Sequence, residues 1–268
     1  MKPLQPKSYG RVAVYIILLV ATVAAMAGLR HYKIASGRNG APGGDTLAVA
    51  LQYSPVAFFM DGDTLAGLDY DLLKMLGIPF RIYPITSPAE GLQGLDEGRY
   101  DMVIADLPQS ADLSDRYLFT VPAYLDRQVL VQKTDSVGAK PAVTSVLELI
   151  GDTVCTTAGS PMVGRIANIS REIGGEIYVK ELPVTSEKLL LTQTIGEIDH
   201  AVVNEQVARS VLADNYPEFD YSMQISFSQF QPWALRLSDT AKAAAVNSRL
   251  DSIKATEGYS RLLSRYLR

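Results

Sequence analysis

The sequence predicts an α/β protein of two lobes, each a mainly parallel sheet covered by helices, preceded by an N-terminal hydrophobic helix. Three observations predict it. Strand-like and helix-like segments alternate from residue 45 onward, in two separate series. Two extended apolar stretches, residues 128–133 and 229–237, flank the second series, where strands crossing between lobes would fall. Residues 12–29 form an uncharged, mostly aliphatic run behind Lys2, Lys7 and Arg11. A chain of 268 residues, 47% of them hydrophobic, is long enough to give both lobes a core.

The N-terminal run is 18 residues long, at the lower edge of membrane-spanning length. Residues 1–30 are expected to be either a signal peptide or an uncleaved membrane anchor. Ala25-Met26-Ala27 fits a small-residue cleavage pattern, whereas the length of the run favours an anchor. Arg30, His31 and Lys33 just beyond it weaken the charge asymmetry an anchor would show. Cys155 is the one cysteine and lies far away, so a lipoprotein anchor is not expected. Residues 31–44, rich in Gly, Pro and Asn from 36 onward, read as a flexible tether to an exported body.

In the first series, residues 46–51 are a short apolar strand followed by a loop over 53–63. Residues 68–76 have helical periodicity and are closed by Gly77. Residues 80–85 are the next strand. Pro88 sits where a first helical turn tolerates proline and opens a helix towards Gly98. A third strand occupies 100–105. The second series runs strand 153–157, helix 160–173 with Pro161 in its first turn, strand 177–180, helix 186–195, strand 200–203 and helix 204–212. If both apolar stretches cross between lobes, the helices at 240–255 and 259–267 return to the first lobe. The expected division is then 45–130 with 232–268 as one lobe and 131–231 as the other.

Composition removes several function classes. Net charge is −4, with 25 basic against 29 acidic residues and no basic cluster in the body, so nucleic acid has no electrostatic footprint here. One cysteine rules out an internal disulfide and a cysteine-based metal site. Of the two histidines, His31 and His200, only His200 could serve a Ser-His-Asp site, and no other feature supports one. No cofactor or metal motif is present.

Five segments together resemble a known family: DTLAVALQYSP at 45–55, FFMDGDTLAGLDYDLL at 58–73, DMVIADLPQSADLSDRYLFTVPAY at 101–124, DTVCTTAGS at 152–160 and IDHAVVNEQVA at 198–208. Their order and separations resemble the family 3 extracellular solute-binding proteins of bacteria, over nearly all of 45–268. The same domain is similar to the N-terminal half of membrane-bound lytic murein transglycosylase F; no counterpart of the murein-cleaving half is seen, so that activity is not expected. The resemblance implies a two-lobed periplasmic-binding-protein type 2 fold with two hinge-crossing strands. It further implies a monomer in the periplasm, soluble or tethered to the inner membrane, that captures a small polar ligand for an ABC permease or for sensing. Ligand-driven hinge closure is a standard transition for such proteins.

Carried over residue by residue, the family's ligand positions give a mixed result. Tyr53 falls where an aromatic packs on the ligand, though it also reads as a core aromatic at a strand end. Gly159 and Ser160 fall at a carboxylate contact and open a helix whose N–H groups favour an anion. The carboxylate-binding arginine aligns with Leu113; the nearest replacements are Arg116, which reads as a solvated turn charge, and Arg127, which could point inward. The ammonium-binding aspartate aligns with Asn204, which carries no charge. Pro108 and Ser110 stand where the family has threonines, and Asp106 replaces a small glycine. Losing two hydrogen bonds to charged groups, at roughly 1.5–3 kcal/mol each, would weaken a zwitterion by about 10²–10⁴-fold. An ordinary free amino acid is therefore not the expected ligand, and Asp106, if it faces the cleft, favours a cationic or hydroxyl-rich one. Two other classes stay open: a membrane-anchored regulatory module of the cell envelope, and a dehydratase-like enzyme using Asp106 or Glu205 as its acid.

Overall fold

The structure, a computed structural model, describes residues 46–107 and 109–267. The N-terminal helix, signal or anchor and the tether expected over 1–44 lie outside the described residues, as does Pro108. Among the described residues no helix is long and apolar enough to cross a membrane.

The first lobe begins with β1 (Leu47–Gln52), whose six residues are all buried. The hairpin β2 (Phe59–Asp61) and β3 (Thr64–Ala66) follows, where a loop was expected, and leads to α1 (Leu68–Met75). Gly67 makes that junction possible: its φ is +131°, and a Cβ there would meet the Ala57 carbonyl oxygen at 2.3 Å. Next come β4 (Phe80–Ile85), α2 (Pro88–Asp96) and β5 (Met102–Ile104). Ser87 caps α2 by accepting from the Glu90 N–H at 3.3 Å, with Pro88 in the first turn as expected. A short α3 (Ala111–Ser114) and β6 (Tyr117–Phe119) complete this run.

The chain then passes through β7 (Tyr124–Asp126) into the second lobe. That lobe holds β8 (Gln128–Lys133), a 3₁₀ turn at Val146–Leu149, β9 (Thr153–Thr157), α4 (Met162–Ile173) and β10 (Tyr178–Leu182). It continues with α5 (Ser186–Thr194), β11 (His200–Asn204), α6 (Glu205–Leu212) and β12 (Phe219–Gln224). β13 (Gln229–Gln231) returns to β14 (Ala234–Arg236), α7 (Thr240–Lys254) and α8 (Glu257–Tyr266).

The first sheet has the order β4-β1-β5-β14-β6, with β1 parallel to β4 and β5, and β14 antiparallel to β5 and β6. Val49 and Leu51 pack with Leu68, Leu72 and Leu250 on one face, while Ala50 packs with Ile85 and Leu95 on the other. Alternation along the strand thus buries both faces under helices. The second sheet has the order β10-β9-β11-β8-β12; β9 runs parallel to β10 and β11, and β8 is antiparallel to β11 and β12. Residues 128–133 were expected to cross between lobes and do not. They form β8, whose first five residues are all buried inside the second sheet. The crossings are the three-residue strands β7 and β13, which pair with each other, Tyr124 opposite Gln231 and Asp126 opposite Gln229.

Candidate functional site

The carboxyl ends of β1, β5 and β11 converge beside the β7–β13 ribbon, the place where open α/β sheets present ligand-binding loops. Between the lobes they enclose a cavity of about 40 Å³. Gln52 and Ser54 reach it from the end of β1, Asp106 from the end of β5, Asp69 from the first turn of α1, Asp126 from β7 and Asn204 from the end of β11. No lysine, arginine or histidine among the described residues lines it.

Asp106 is the centre of the arrangement. Its backbone N–H donates to Gln52 Oε1 at 2.9 Å, which fixes the turn after β5 against the end of β1. Its carboxylate accepts from two side-chain amides of the second lobe, Gln128 Nε2 at 3.0 Å and Asn204 Nδ2 at 3.3 Å. Burial raises its pKa, and these two bonds oppose the rise. Asp69 sits deeper, 2% exposed, accepting from Trp233 Nε1 at 2.9 Å and from the Tyr124 hydroxyl at 3.4 Å. Burial pushes its carboxyl up to about 7 against both bonds. Asp126 is also pushed up to about 7, chiefly by burial, with the Arg127 N–H bond opposing and the charge of Asp106 adding to it. Burial likewise lifts the Tyr124 phenol well above its ordinary value. Carboxyl groups therefore wall the cavity with no cation among its lining residues, although the Arg127 guanidinium outside it feels the charge of Asp126.

The other expected site residues fall elsewhere. Arg127 does not point inward: its guanidinium pairs with Glu205, Nε to Oε2 at 2.5 Å, and Arg209 joins Glu205 at 3.1 Å. These partners, Arg127 first, hold the Glu205 carboxyl below its ordinary range, so Glu205 is not a proton donor at neutral pH. Tyr53 is 36% exposed and does not line the cavity. Ser110 is exposed and caps α3 through the Leu113 N–H at 3.3 Å. Leu113 packs against the first-lobe core.

Gly159 and Ser160 do not offer free N–H groups at a helix start. The helix begins two residues later, the Gly159 N–H donates to Glu181 Oε2 at 2.7 Å, and the Ser160 N–H donates to the Thr157 carbonyl at 3.1 Å. The one side-chain anion at that position is the protein's own. Arg116 pairs with Asp96 at 3.1 Å.

Asp69, Asp126, Gln52 and Gln128 are the residues that sequence reasoning missed. A signal existed for Asp69: it shares the buried face of α1 with Leu72 and Leu73, where an acid is out of place.

A wider crevice of about 470 Å³ adjoins the cavity at Val56, with Phe59 and Tyr266 on the first-lobe side and Gln206 and Asp214 on the second.

Residues 46–268 match the family model described as bacterial extracellular solute-binding proteins, family 3. The membrane-bound lytic murein transglycosylase F of Aeromonas hydrophila subsp. hydrophila is 25% identical over 205 residues, covering 75% of this chain and 40% of that protein. The match thus spans about two fifths of that transglycosylase's length. Among solved structures, an ancestral arginine-binding protein bound to arginine superposes with a TM-score of 0.71 at 21% identity, covering 84% of this chain and 99% of the other. A putative L-cystine ABC transporter protein from Listeria monocytogenes superposes with a TM-score of 0.72 at 18% identity, covering 84% and 96%. At these identities the structural likeness establishes the two-lobed fold.

Proposed function

The chain belongs to the bacterial extracellular solute-binding proteins of family 3, and from that premise we propose that it captures a small polar solute bearing an amine or other organic cation between its lobes, outside the cytoplasm. The observation that carries this reading is the cavity wall itself: Asp69, Asp106 and Asp126 line it and no cation does. An amine is the complement that lets buried carboxylates ionise. Among the described residues no cluster of His, Cys, Asp and Glu is arranged to hold a metal ion.

The contact set proposed is Asp69, Asp106, Asp126, Gln52 and Asn204, with Tyr53, Gly159 and Ser160 reached only when the lobes part. Parting is required, because 40 Å³ has room for water-sized groups only. Ancestral arginine-binding proteins of this fold hold arginine or glutamine, both amine-bearing solutes. The same module serves an ABC permease or a sensor. Its acid residues also leave a proton-transfer enzyme as an alternative, without Glu205.

A second reading, an interaction module of the cell envelope, is favoured by a different feature. Leu125, Phe230, Tyr259, Leu263 and Leu267 line an apolar groove of about 660 Å³ at the hinge ribbon and α8. The matching transglycosylases are membrane-bound proteins longer than this chain.

The test is a thermal-shift screen of amino acids, polyamines, small carboxylates, sugars and peptidoglycan fragments. A solute at about 100 times its dissociation constant adds about 2.7 kcal/mol of stability. Amine-bearing solutes are expected to raise the melting temperature, and Asp69→Asn is expected to weaken them. Hits confined to carboxylates without an amine would overturn the charge argument. A silent screen would move the interaction module ahead.

A further inference from the structure

The cleft is bridged by bonds between the protein's own side chains. Asp106 follows β5 of the first sheet, whereas Gln128 and Asn204 face each other across the β8–β11 pair of the second. The two amide-to-carboxylate bonds, at 3.0 and 3.3 Å, therefore tie one lobe directly to the other. In each the amide N–H donates to an Asp106 carboxyl oxygen. The backbone that carries Asp106 is held from behind, its N–H donating to Gln52 Oε1 at 2.9 Å, so the carboxylate projects from a fixed turn.

A second touch point lies on another edge of the cleft. A Cβ placed on Gly159 of the second lobe would stand 3.2 Å from the Ala89 Cβ in the first turn of α2. The lobes thus meet at two places with no solute needed to span them. The enclosed volume of about 40 Å³ falls far below the roughly 300 Å³ at which pockets for small molecules begin.

We propose that Asp106 is an interlobe latch, a first-lobe carboxylate gripped by the side-chain amides of Gln128 and Asn204, that holds the two lobes closed by itself. Closure is then the resting condition of the protein, and a solute must break the latch to enter. That consequence for entry rests on the solute-binding reading above, but the latch does not, and its test uses no solute.

The experiment measures lobe separation. Met60 of the β2–β3 hairpin and Ile195 at the end of α5 are 54% and 72% exposed and lie on opposite lobes. Cys155 is buried and spares the labelling chemistry. The full chain carrying Met60→Cys and Ile195→Cys is spin-labelled, freed of carried-over solute by unfolding and refolding, and its label distance is read by pulsed electron resonance.

The parent is expected to give one short distance. Asp106→Ala is expected to lengthen it by more than about 2 Å, the scale of a domain rearrangement. Asn204→Asp is the control against misfolding: it keeps size and sits before α6, where a carboxylate is a good helix start. It sets a carboxylate against Asp106 and is expected to open the lobes as well. A parent that is already open, or an Asn204→Asp distance equal to the parent's, overturns the latch. A failed solute screen alongside an opened Asn204→Asp would sink the solute reading and leave the latch standing.

Discussion

Lowering the pH from 8 to 5 should make this protein more stable, the reverse of ordinary acid denaturation. Asp69 and Asp126 are 2% and 7% exposed, and each has its carboxyl pushed from 3.8 up to about 7 in the folded state. Between those two values the folded form binds protons that the unfolded form does not. Stability therefore rises as pH falls through about 7 and is lost again as pH climbs back. At pH 5 each folded acid is about two units below its pKa, which is worth about 2.7 kcal/mol relative to pH 8.

For a chain of this size that is a rise of about 5–10 °C in Tm from one group alone. The trend should turn over below about pH 4, where Glu205 and Asp101, both held low by basic partners, become protonated and lose their pairs. The assay is circular-dichroism melting at pH 5, 6, 7 and 8, on the parent and on Asp69→Asn. Asparagine keeps an oxygen for the Trp233 N–H while removing the titration. It should be more stable than the parent at pH 8 and show a shallower slope. A parent Tm that is flat or falls from pH 8 to 5, or an unchanged slope in Asp69→Asn, would refute the reasoning.

Two further predictions follow from the same neighbourhood. Trp233→Phe removes the 2.9 Å donor to Asp69 and leaves a buried carboxyl oxygen without that partner. It should cost about 1–3 kcal/mol in urea unfolding and move the pH-linked rise in stability to higher pH. Gly159→Ala forces a side chain onto a residue with φ +74° and presses its methyl against Ala89. It should destabilise by about 1 kcal/mol or more in the same assay, and it should do so less in an Asp106→Ala background, where the lobes are no longer held together.

The parts of the fold that the sequence made legible are those with long, unambiguous patterns. The six buried residues of β1 read directly as a strand of a mainly parallel sheet, and Pro88 and residue 186 read as helix starts. The three-residue strands β2, β3, β6 and β7 carry too little periodicity to be seen. The crossing point was misplaced for a related reason: the apolar run of β8 marks burial inside a sheet, which periodicity alone does not distinguish from a hinge strand. At the site, Asp106 and Asn204 stood out as departures from the family pattern. Asp126 did not, because an acid in a strand of three residues looks like a surface residue until Tyr124, two positions back, is seen to share its face. The partner that takes Arg127 away from the cleft, Glu205, lies 78 positions along the chain and only folding brings the two together.

The charge of the cleft discriminates among solutes more strongly than its size does. Two unit charges about 4 Å apart interact by about 4 kcal/mol at an effective dielectric of about 20. An anionic solute would have to displace Asp106 from its two amides and then sit against Asp69 and Asp126, whose carboxyls, held up near 7, take on a proton beside an anion and so cannot bind it as a counter-charge. A cationic solute gains up to about 4 kcal/mol from a carboxylate that ionises beside it and can leave Asp106 in place as a ligand. The advantage of the cation is then at most about 4 kcal/mol, or about three decades in affinity. Size imposes no comparable penalty, because the lobes must part for any solute and the adjoining crevice of about 470 Å³ already offers room for its remainder. A change of ligand class in this protein would therefore begin with Asp106, whose replacement by a neutral residue removes both the latch and the nearest repulsive charge.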